Sequence, residues 1–68
     1  MYAIRIGDRF GIGATSYDAM VNAVGEVKAN LICNSMSTQP IYYYWDDGVK
    51  EADFYAVNGV KIGKITQY

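Results

Sequence analysis

The sequence predicts a two-layer α+β fold, in which one helix packs on one face of an antiparallel sheet of about five strands in the order ββαβββ. Two observations support this prediction. Apolar residues alternate with polar ones near both ends of the sequence, as in half-buried strands. Between these stretches, apolar residues recur at helical spacing. With 68 residues, the chain is predicted to form a single small domain, 1–68, with a limited core.

The first two strands are predicted at 1–7 and 10–13, with Asp8-Arg9 as the turn between them. Gly11 and Gly13 weaken the second strand, because glycine loses more entropy on ordering and packs no side chain. The Gly-Ile-Gly sequence lacks the Gly-Lys-Ser/Thr ending of a phosphate-binding loop and the third glycine of a dinucleotide-binding turn. No phosphate site is therefore predicted here.

The helix is predicted to begin at Thr15 or Ser16, whose hydroxyls can accept from unpaired backbone N–H groups. Gly25 would lie in the middle of this helix, where it costs about 1 kcal/mol relative to alanine and would allow close approach to the sheet or to a second copy. We expect the helix to end near Asn30 or Asn34. Its apolar stripe consists of Ala19, Met20, Ala23, Val24, Val27 and Leu31.

A three-stranded meander is predicted from Ile41 to Tyr68, after a loop that ends at Pro40. Asn58-Gly59 and Asp47-Gly48 each follow an apolar run and are typical of two-residue type I′ hairpin turns, with Asp46 as a possible extra residue of the Asp47-Gly48 loop. These turns fix a register. The cross-strand pairs that it predicts are Val57–Val60, Tyr55–Ile62, Phe54–Gly63, Asp53–Lys64, Tyr44–Glu51 and Tyr43–Ala52.

Alternation along these strands separates the side chains onto two faces. One face carries Ile41, Tyr43, Trp45, Ala52, Phe54, Ala56 and Ile65. The other carries Tyr42, Tyr44, Glu51, Asp53, Tyr55, Ile62 and Lys64. We expect the helix to cover the first face and to leave the second free. A bulge at Gly63 would exchange the faces beyond it. The open alternative is therefore that the helix covers the Tyr44/Tyr55 face and leaves the Trp45/Phe54 face free.

No catalytic, cofactor or metal site is predicted. The sequence has no His and a single Cys, Cys33, which excludes the common zinc patterns and an internal disulfide. Cys33 is interpreted as a small buried apolar residue. Asp46, Asp47, Glu51 and Asp53 are close in sequence, but catalytic carboxylates need a cleft that separates their pKa values. We interpret them as solvated charges and expect the protein not to be an enzyme.

The net charge and the hydropathy of the chain limit the kinds of partner that it is expected to bind. The net charge of −1 argues against duplex DNA or an anionic membrane as a partner. No apolar run approaches the 18 residues of a membrane-spanning helix, and no export signal is visible. A single thiol fits a reducing compartment. The expected location is the cytoplasm, which is the host cytoplasm if the protein is encoded by a phage.

The seven tyrosines are the unusual feature of the composition. They fit β-propensity and core filling, but tyrosine also gives an interface large contact area at low entropic cost. The residues predicted to bind protein are Tyr42, Tyr44, Glu51, Asp53, Tyr55, Ile62 and Lys64. A contiguous exposed patch of this kind usually marks a contact, either with another protein or with a second copy in a homodimer.

The sequence thus predicts a small interaction module that inhibits or modulates a larger protein or complex. In size and character, with no motif behind the analogy, it is similar to phage-encoded inhibitors of host or defence enzymes, including anti-CRISPR proteins. The alternative function is binding of single-stranded nucleic acid by tyrosine stacking. Glu51 and Asp53 disfavour that alternative, because they repel a phosphate backbone.

Overall fold

The computed structural model describes residues 1–35, 43–44, 48 and 50–68. The strands are β1 (Tyr2–Ile6), β2 (Arg9–Gly13), β3 (Tyr43–Tyr44), β4 (Lys50–Tyr55) and β5 (Lys61–Gln67), and the helices are α1 (Ser16–Val24) and α2 (Glu26–Ser35). All neighbouring strands are antiparallel, in the order β2-β1-β5-β4-β3. The α+β class and the antiparallel sheet are confirmed. Four strands form most of the sheet, since β3 has only two residues.

The prediction of a single helix is wrong, because Gly25 ends α1 with a φ of 92° and ψ of 160°. This backbone conformation is open to glycine and leaves the helical region. The helix restarts at Glu26 with a different face toward the sheet. Val27 and Leu31, predicted on the apolar stripe, are 77% and 64% exposed. Ala29 and Ile32 are the residues of α2 that are buried.

The predicted start of the helix is confirmed. Thr15 is the N-cap, and its Oγ1 accepts a hydrogen bond from the Asp18 N–H at 3.1 Å. The Asp18 carboxylate lies in the first turn, where the helix dipole favours negative charge. The second helix ends at Ser35, one residue beyond the predicted stop at Asn34.

Helix α1 packs unusually close to β2, because Gly11 and Gly13 have no side chains. A Cβ atom at Gly11 would lie 2.3 Å from the Ala19 carbonyl oxygen, and one at Gly13 would lie 2.5 Å from the Ala19 nitrogen. These glycines, which seemed in the sequence only to weaken the strand, are required by the helix-on-sheet contact. They also fix which face of β2 the helix covers.

The core lies between the two helices and one face of the sheet. Its buried residues are Ile4, Ala19, Met20, Ala29, Ile32, Ala52, Phe54 and Ile65. The prediction that Ala52, Phe54 and Ile65 share the helix-covered face is confirmed. Ile41 and Trp45, predicted on the same face, lie outside the described residues. None of the described helices is long and apolar enough to cross a membrane.

The register between β4 and β5 agrees with the prediction in its middle part. Asp53 lies opposite Lys64, and Phe54 lies opposite Gly63. The Phe54 ring comes within 3.2 Å of the position that a Cβ of Gly63 would take. The aromatic ring thus covers the bare backbone, as expected for an aromatic–glycine pair.

The turn between β4 and β5 differs from the predicted two-residue loop. The Ala56 N–H donates to the Val60 carbonyl at 2.9 Å, and the Gly59 N–H donates to the Ala56 carbonyl at 2.9 Å. Gly59 has a φ of 84°, and no non-glycine residue of the described chain has a positive φ. A type I′ turn would need a positive φ at Asn58 as well. The loop therefore has three residues, with glycine at its last position.

This longer loop changes the face of one predicted residue. Beyond Phe54 the ladder is irregular, and Tyr55 lies opposite Lys61 instead of Ile62. Ile62 is the extra residue of a bulge and packs against the core. Its predicted place on the free face is wrong, since an added residue in one strand reverses the alternation.

Two further pairings differ from the prediction by one position. Ile6 pairs with Arg9, so the first turn is Gly7-Asp8, and Gly7 has a φ of 60°. This is the glycine-first conformation of a type II′ hairpin. Tyr43 lies opposite Glu51 and Tyr44 opposite Lys50. The predicted pairs Tyr44–Glu51 and Tyr43–Ala52 are therefore wrong by one residue. The predicted Asp47-Gly48 turn cannot be compared in the same way, because Asp47 lies outside the described residues.

Candidate functional site

The helices cover one face of the sheet, and the opposite face, here called the open face, carries two rows of side chains. Strand pairing places Phe10, Arg5, Lys64 and Asp53 in one row across four strands. The neighbouring row consists of Ile12, Ala3, Thr66 and Glu51. Tyr55 and Lys61 extend the open face beyond Asp53. The rows run from apolar side chains at β2 to charged side chains at β4.

The charged half of the open face contains two ion pairs. Lys64 Nζ lies 2.9 Å from Glu51 Oε1, and Lys61 Nζ lies 3.2 Å from Asp53 Oδ1. Both pairs are diagonal, so Lys64 contacts Glu51 although Asp53 lies directly opposite it. Asp53 Oδ1 is buried and accepts no hydrogen bond within the described residues, so its contact with Lys61 is electrostatic. Although that oxygen is buried, the side chains of the two pairs are 26–50% exposed, and ion pairs at such positions contribute little to stability.

The Glu51 carboxylate changes the titration of Lys64. Its hydrogen bond and its negative charge raise the pKa of Lys64 above 10.5. Burial opposes this shift, and the charge of Asp53 adds to it. Lys64 is therefore a fixed positive charge at physiological pH. Its charge is directed to Glu51, so it offers a partner less attraction than a solvated lysine would.

The apolar half of the open face lies at β2 and was not predicted. Phe10 is 50% exposed and Ile12 is 46% exposed. The Arg5 guanidinium lies over the Phe10 ring, 5.5 Å from its centroid. At this distance the guanidinium and the ring form a cation–π contact. Tyr68 is a further exposed aromatic residue of this region, at 67%.

A shallow depression of about 230 Å³ lies where the apolar and charged halves meet. The Ala3 side chain is short, lies between larger side chains and is 4% exposed, so Ala3 forms part of the floor of this depression. The lining residues are Ala3, Arg5, Phe10, Glu51, Lys64, Thr66 and Tyr68. This volume is enough for one inserted side chain and lies below the size of most ligand pockets.

The structure brings together only part of the predicted site. Glu51, Asp53 and Lys64 share the open face. Lys64 forms an ion pair with Glu51, whereas Asp53 pairs with Lys61, which was not among the predicted site residues. Tyr55 is 44% exposed on the same strand as Glu51 and Asp53. Ile62 packs against the core instead.

The two other predicted tyrosines are not placed on the open face by the structure. Tyr44 belongs to β3 and pairs with Lys50, so the register that assigned it to the face of Glu51 does not hold. Tyr42 lies outside the described residues. Binding by any of the predicted residues stays a prediction.

The sequence did contain a signal for the missed residues. Gly11 and Gly13 occupy alternate positions of a strand next to a helix start. When such glycines face a helix, the side chains between them must face the other way. Phe10 and Ile12 could have been assigned to an uncovered face on this basis.

Neither a metal site nor a buried thiol is found in the described part of the chain. No group of three or more His, Cys, Asp or Glu residues there could hold a metal ion. Cys33 is exposed, so its predicted burial is wrong. Its Sγ lies 3.9 Å from Met20 Sδ at the side of the core.

Comparisons with known proteins give no family assignment. No family model, no curated protein and no solved structure matches the chain.

Proposed function

We propose that this protein is a non-enzymatic interaction module that binds a larger protein through its open face and modulates or blocks it. The observation that best supports this proposal is the pair of half-exposed apolar side chains, Phe10 and Ile12, on a sheet face that neither helix covers. When a partner covers water-exposed apolar groups on such a face, the free energy falls, and this favours binding. Tyr55 and Tyr68 add exposed aromatic area to the same surface.

The composition of the open face fits a protein partner. Protein interfaces are enriched in aromatic residues and arginine and have polar rims. Phe10 with Arg5 stacked on it provides the first feature, and the ion pairs around Glu51 and Asp53 provide the second. Because these carboxylates neutralise two lysines, the charged half of the open face has no strong excess of either charge.

Single-stranded nucleic acid is the less favoured partner. Phe10 lies on β2 and Tyr55 on β4, with two strands between them. At about 4.8 Å between neighbouring strands, the two aromatic residues are roughly 14 Å apart. That separation is too large for these two residues to stack successive bases, although Phe10 and Tyr68 line the same depression. Lys61 and Lys64, which could contact phosphates, are paired with carboxylates.

A modulating role in the cytoplasm is the finer part of the proposal. It rests on the small size of the chain and on its analogy with phage-encoded inhibitors such as anti-CRISPR proteins. Measuring the activity of the identified partner with and without saturating protein tests this part. An unchanged activity would leave a binding module without an inhibitory role.

The proposal is tested with two double variants that remove similar apolar area from opposite sides of the molecule. Phe10→Ser with Tyr68→Ser alters the open face, and Val27→Ser with Leu31→Ser alters the exposed side of α2. Each protein is used to capture partners from nuclease-treated lysate of the source cell. The partner kept by wild type is then purified, and its Kd is measured by calorimetry at two salt concentrations.

The open-face variant should bind the purified partner at least about tenfold more weakly, as expected for loss of central apolar contacts. The α2 variant should bind as wild type does. Equal binding by both variants would exclude the open face as the interface. If capture depends on nucleic acid and affinity falls steeply with salt, the nucleic-acid alternative is correct instead.

A further inference from the structure

We propose that the partner contributes an extended, acidic segment that adds to the sheet as a strand along the free edge of β2. This inference rests on the proposed function, because it assigns a binding mode to part of the partner. Strand addition at an open sheet edge is a common way for proteins to bind extended segments. Four features of β2 support it, namely its free backbone groups, its exposed side chains, the helix above it and the arginine beside it on the open face.

The backbone of β2 offers hydrogen-bonding groups at the edge of the sheet. Among the described strands, β2 is terminal and pairs only with β1. The two-residue turn makes Ile6–Arg9 a hydrogen-bonded pair, so hydrogen-bonded pairs alternate from there, and the backbone groups of Phe10 and Ile12 point away from β1. The Ile12 carbonyl confirms this direction, because it accepts a hydrogen bond from Asn22 Nδ2 at 2.7 Å, outside the β1–β2 ladder.

Three of these outward groups are available to a partner. They are the N–H and C=O of Phe10 and the N–H of Ile12, which have no partner among the described residues. The Phe10 and Ile12 side chains, both about half exposed, lie beside them on the open face. An added strand would therefore gain backbone hydrogen bonds and cover apolar surface in the same step.

A second copy of this chain is a poor occupant of the edge. Gly11 and Gly13 place α1 directly over β2, with helix backbone atoms within 2.3–2.5 Å of where their Cβ atoms would be. Pairing of two β2 strands would put each α1 only about 4.8 Å from its copy, whereas packed helices need about 8–10 Å. An added strand must carry no helix above it and must have small side chains on the side that faces α1.

The charge beside β2 selects an acidic segment. Arg5 and Arg9 are both exposed, and neither forms an ion pair within the part of the chain that the structure describes. Arg5 lies over Phe10 on the open face, whereas Arg9 pairs with the core-packed Ile6 and so lies on the face of β2 that carries Gly11 and Gly13. The lysines of the open face already have carboxylate partners, so Arg5 is the cation that a partner can pair with on this face of the described chain. Carboxylates on the open-face side of the added strand would form charge-assisted contacts with it.

The test uses the full protein and a synthetic probe. The probe is an acetylated and amidated eight-residue peptide that alternates serine with valine or glutamate. One control peptide has the same sequence with alternate backbone nitrogens methylated, and a second has lysine in place of glutamate. Binding is followed by chemical shifts in two-dimensional NMR and by hydrogen exchange of the Phe10 and Ile12 amides.

The acidic probe should slow exchange of both amides and shift resonances of β2. Methylation should weaken binding at least about tenfold, because it removes the strand-to-strand hydrogen bonds, and the lysine peptide should bind at least about fivefold more weakly. Equal binding of the methylated peptide, shifts confined to other strands, or no binding at millimolar concentration would overturn strand addition. Amides already protected in a dimer of the free protein would assign the edge to a second copy and would also overturn it.

This outcome is independent of the test of the proposed function. If the acidic probe fails while the Phe10/Tyr68 double variant still loses its partner, the open face binds protein without strand addition. If the probe binds β2 while that variant keeps its partner, the edge is a peptide site and the proposed open-face interface is wrong.

Discussion

Replacing Gly11 with alanine should remove a large part of the stability of this protein. The added methyl carbon would lie 2.3 Å from the Ala19 carbonyl oxygen and 2.4 Å from the Ala23 nitrogen, both in the backbone of α1. Ordinary van der Waals contact begins at 3.4 Å. The helix would therefore have to move away from the sheet by about 1 Å, because a backbone atom cannot turn aside as a side chain can.

The cost of this displacement can be estimated from the contacts that it opens. Ala19, Met20 and Ala23 are the buried residues of α1, and all three would separate from the sheet. Overpacking a core costs about 1–3 kcal/mol, and displacement of a whole helix lies at the upper end. About 3 kcal/mol is a large fraction of the 5–15 kcal/mol that stabilises most domains. In a chain of this size it should lower the Tm by about 12–24 °C.

The assay is urea and thermal unfolding, followed by far-ultraviolet circular dichroism. Gly7→Ala is the control, because Gly7 has a φ of 60° but nothing within 4 Å of its Cβ position. It should cost only about 1 kcal/mol through backbone strain. Adding Ala19→Gly to Gly11→Ala should not restore stability, because the clash is with backbone atoms. A Gly11→Ala protein as stable as the Gly7→Ala control would refute the close helix contact.

Three further predictions concern single side chains. Thr15→Ala should lower the free energy of unfolding by about 1 kcal/mol through loss of the N-cap, and an unchanged urea midpoint would contradict the bond to Asp18. Glu51→Gln should lower the pKa of Lys64 in an NMR titration. Because that pKa is raised in the folded state, the stability it contributes is present at neutral pH and is lost as the pH rises through it, above 10.5; an unaltered titration would contradict the Glu51–Lys64 pair. Cys33 should react with a thiol reagent in the folded protein within about tenfold of its rate in urea, since it is exposed, and strong protection would show it to be buried.

The parts of the fold that could be predicted depend on local chemistry. Thr15 caps the helix because a hydroxyl at that position accepts the nearby N–H, whatever the rest of the chain does. The pairs Phe54–Gly63 and Asp53–Lys64 followed from alternation within strands that lie close in sequence. These features need only a few residues on either side to be recognised.

The errors occur where one residue has two acceptable conformations. Gly25 fits both the interior of a helix and its end, and the apolar spacing of Val24 and Val27 continues across it, so the pattern alone does not show the break. Asn58-Gly59 fits a two-residue loop as well as a three-residue loop with glycine last. The choice moves Ile62 from one face to the other, because strand side chains alternate.

The candidate site was harder to predict because it depends on strand order. Alternation alone assigns Arg5 and Phe10 to faces of their own strands, but it does not show that β1 lies between β2 and β5. Only that order puts Arg5 between Phe10 and Lys64, and thus joins the apolar and charged halves. Long-range pairing of this kind has no signature in a short stretch of sequence.

The central position of β1 and β5 has a consequence for how the chain folds. These strands are joined through Ile4 and Ile65, 61 positions apart, and they connect the two halves of the described sheet: β2 is attached to β1, and β4 is attached to β5 with β3 beyond it. During synthesis, the β1–β2 hairpin and α1 emerge from the ribosome long before Ile65. Until Ile65 emerges, Ile4 has its strand partner in β2 but lacks its partner in β5. We expect the sheet to form late and in a single step, because the large loop between its middle strands must close before the core can assemble.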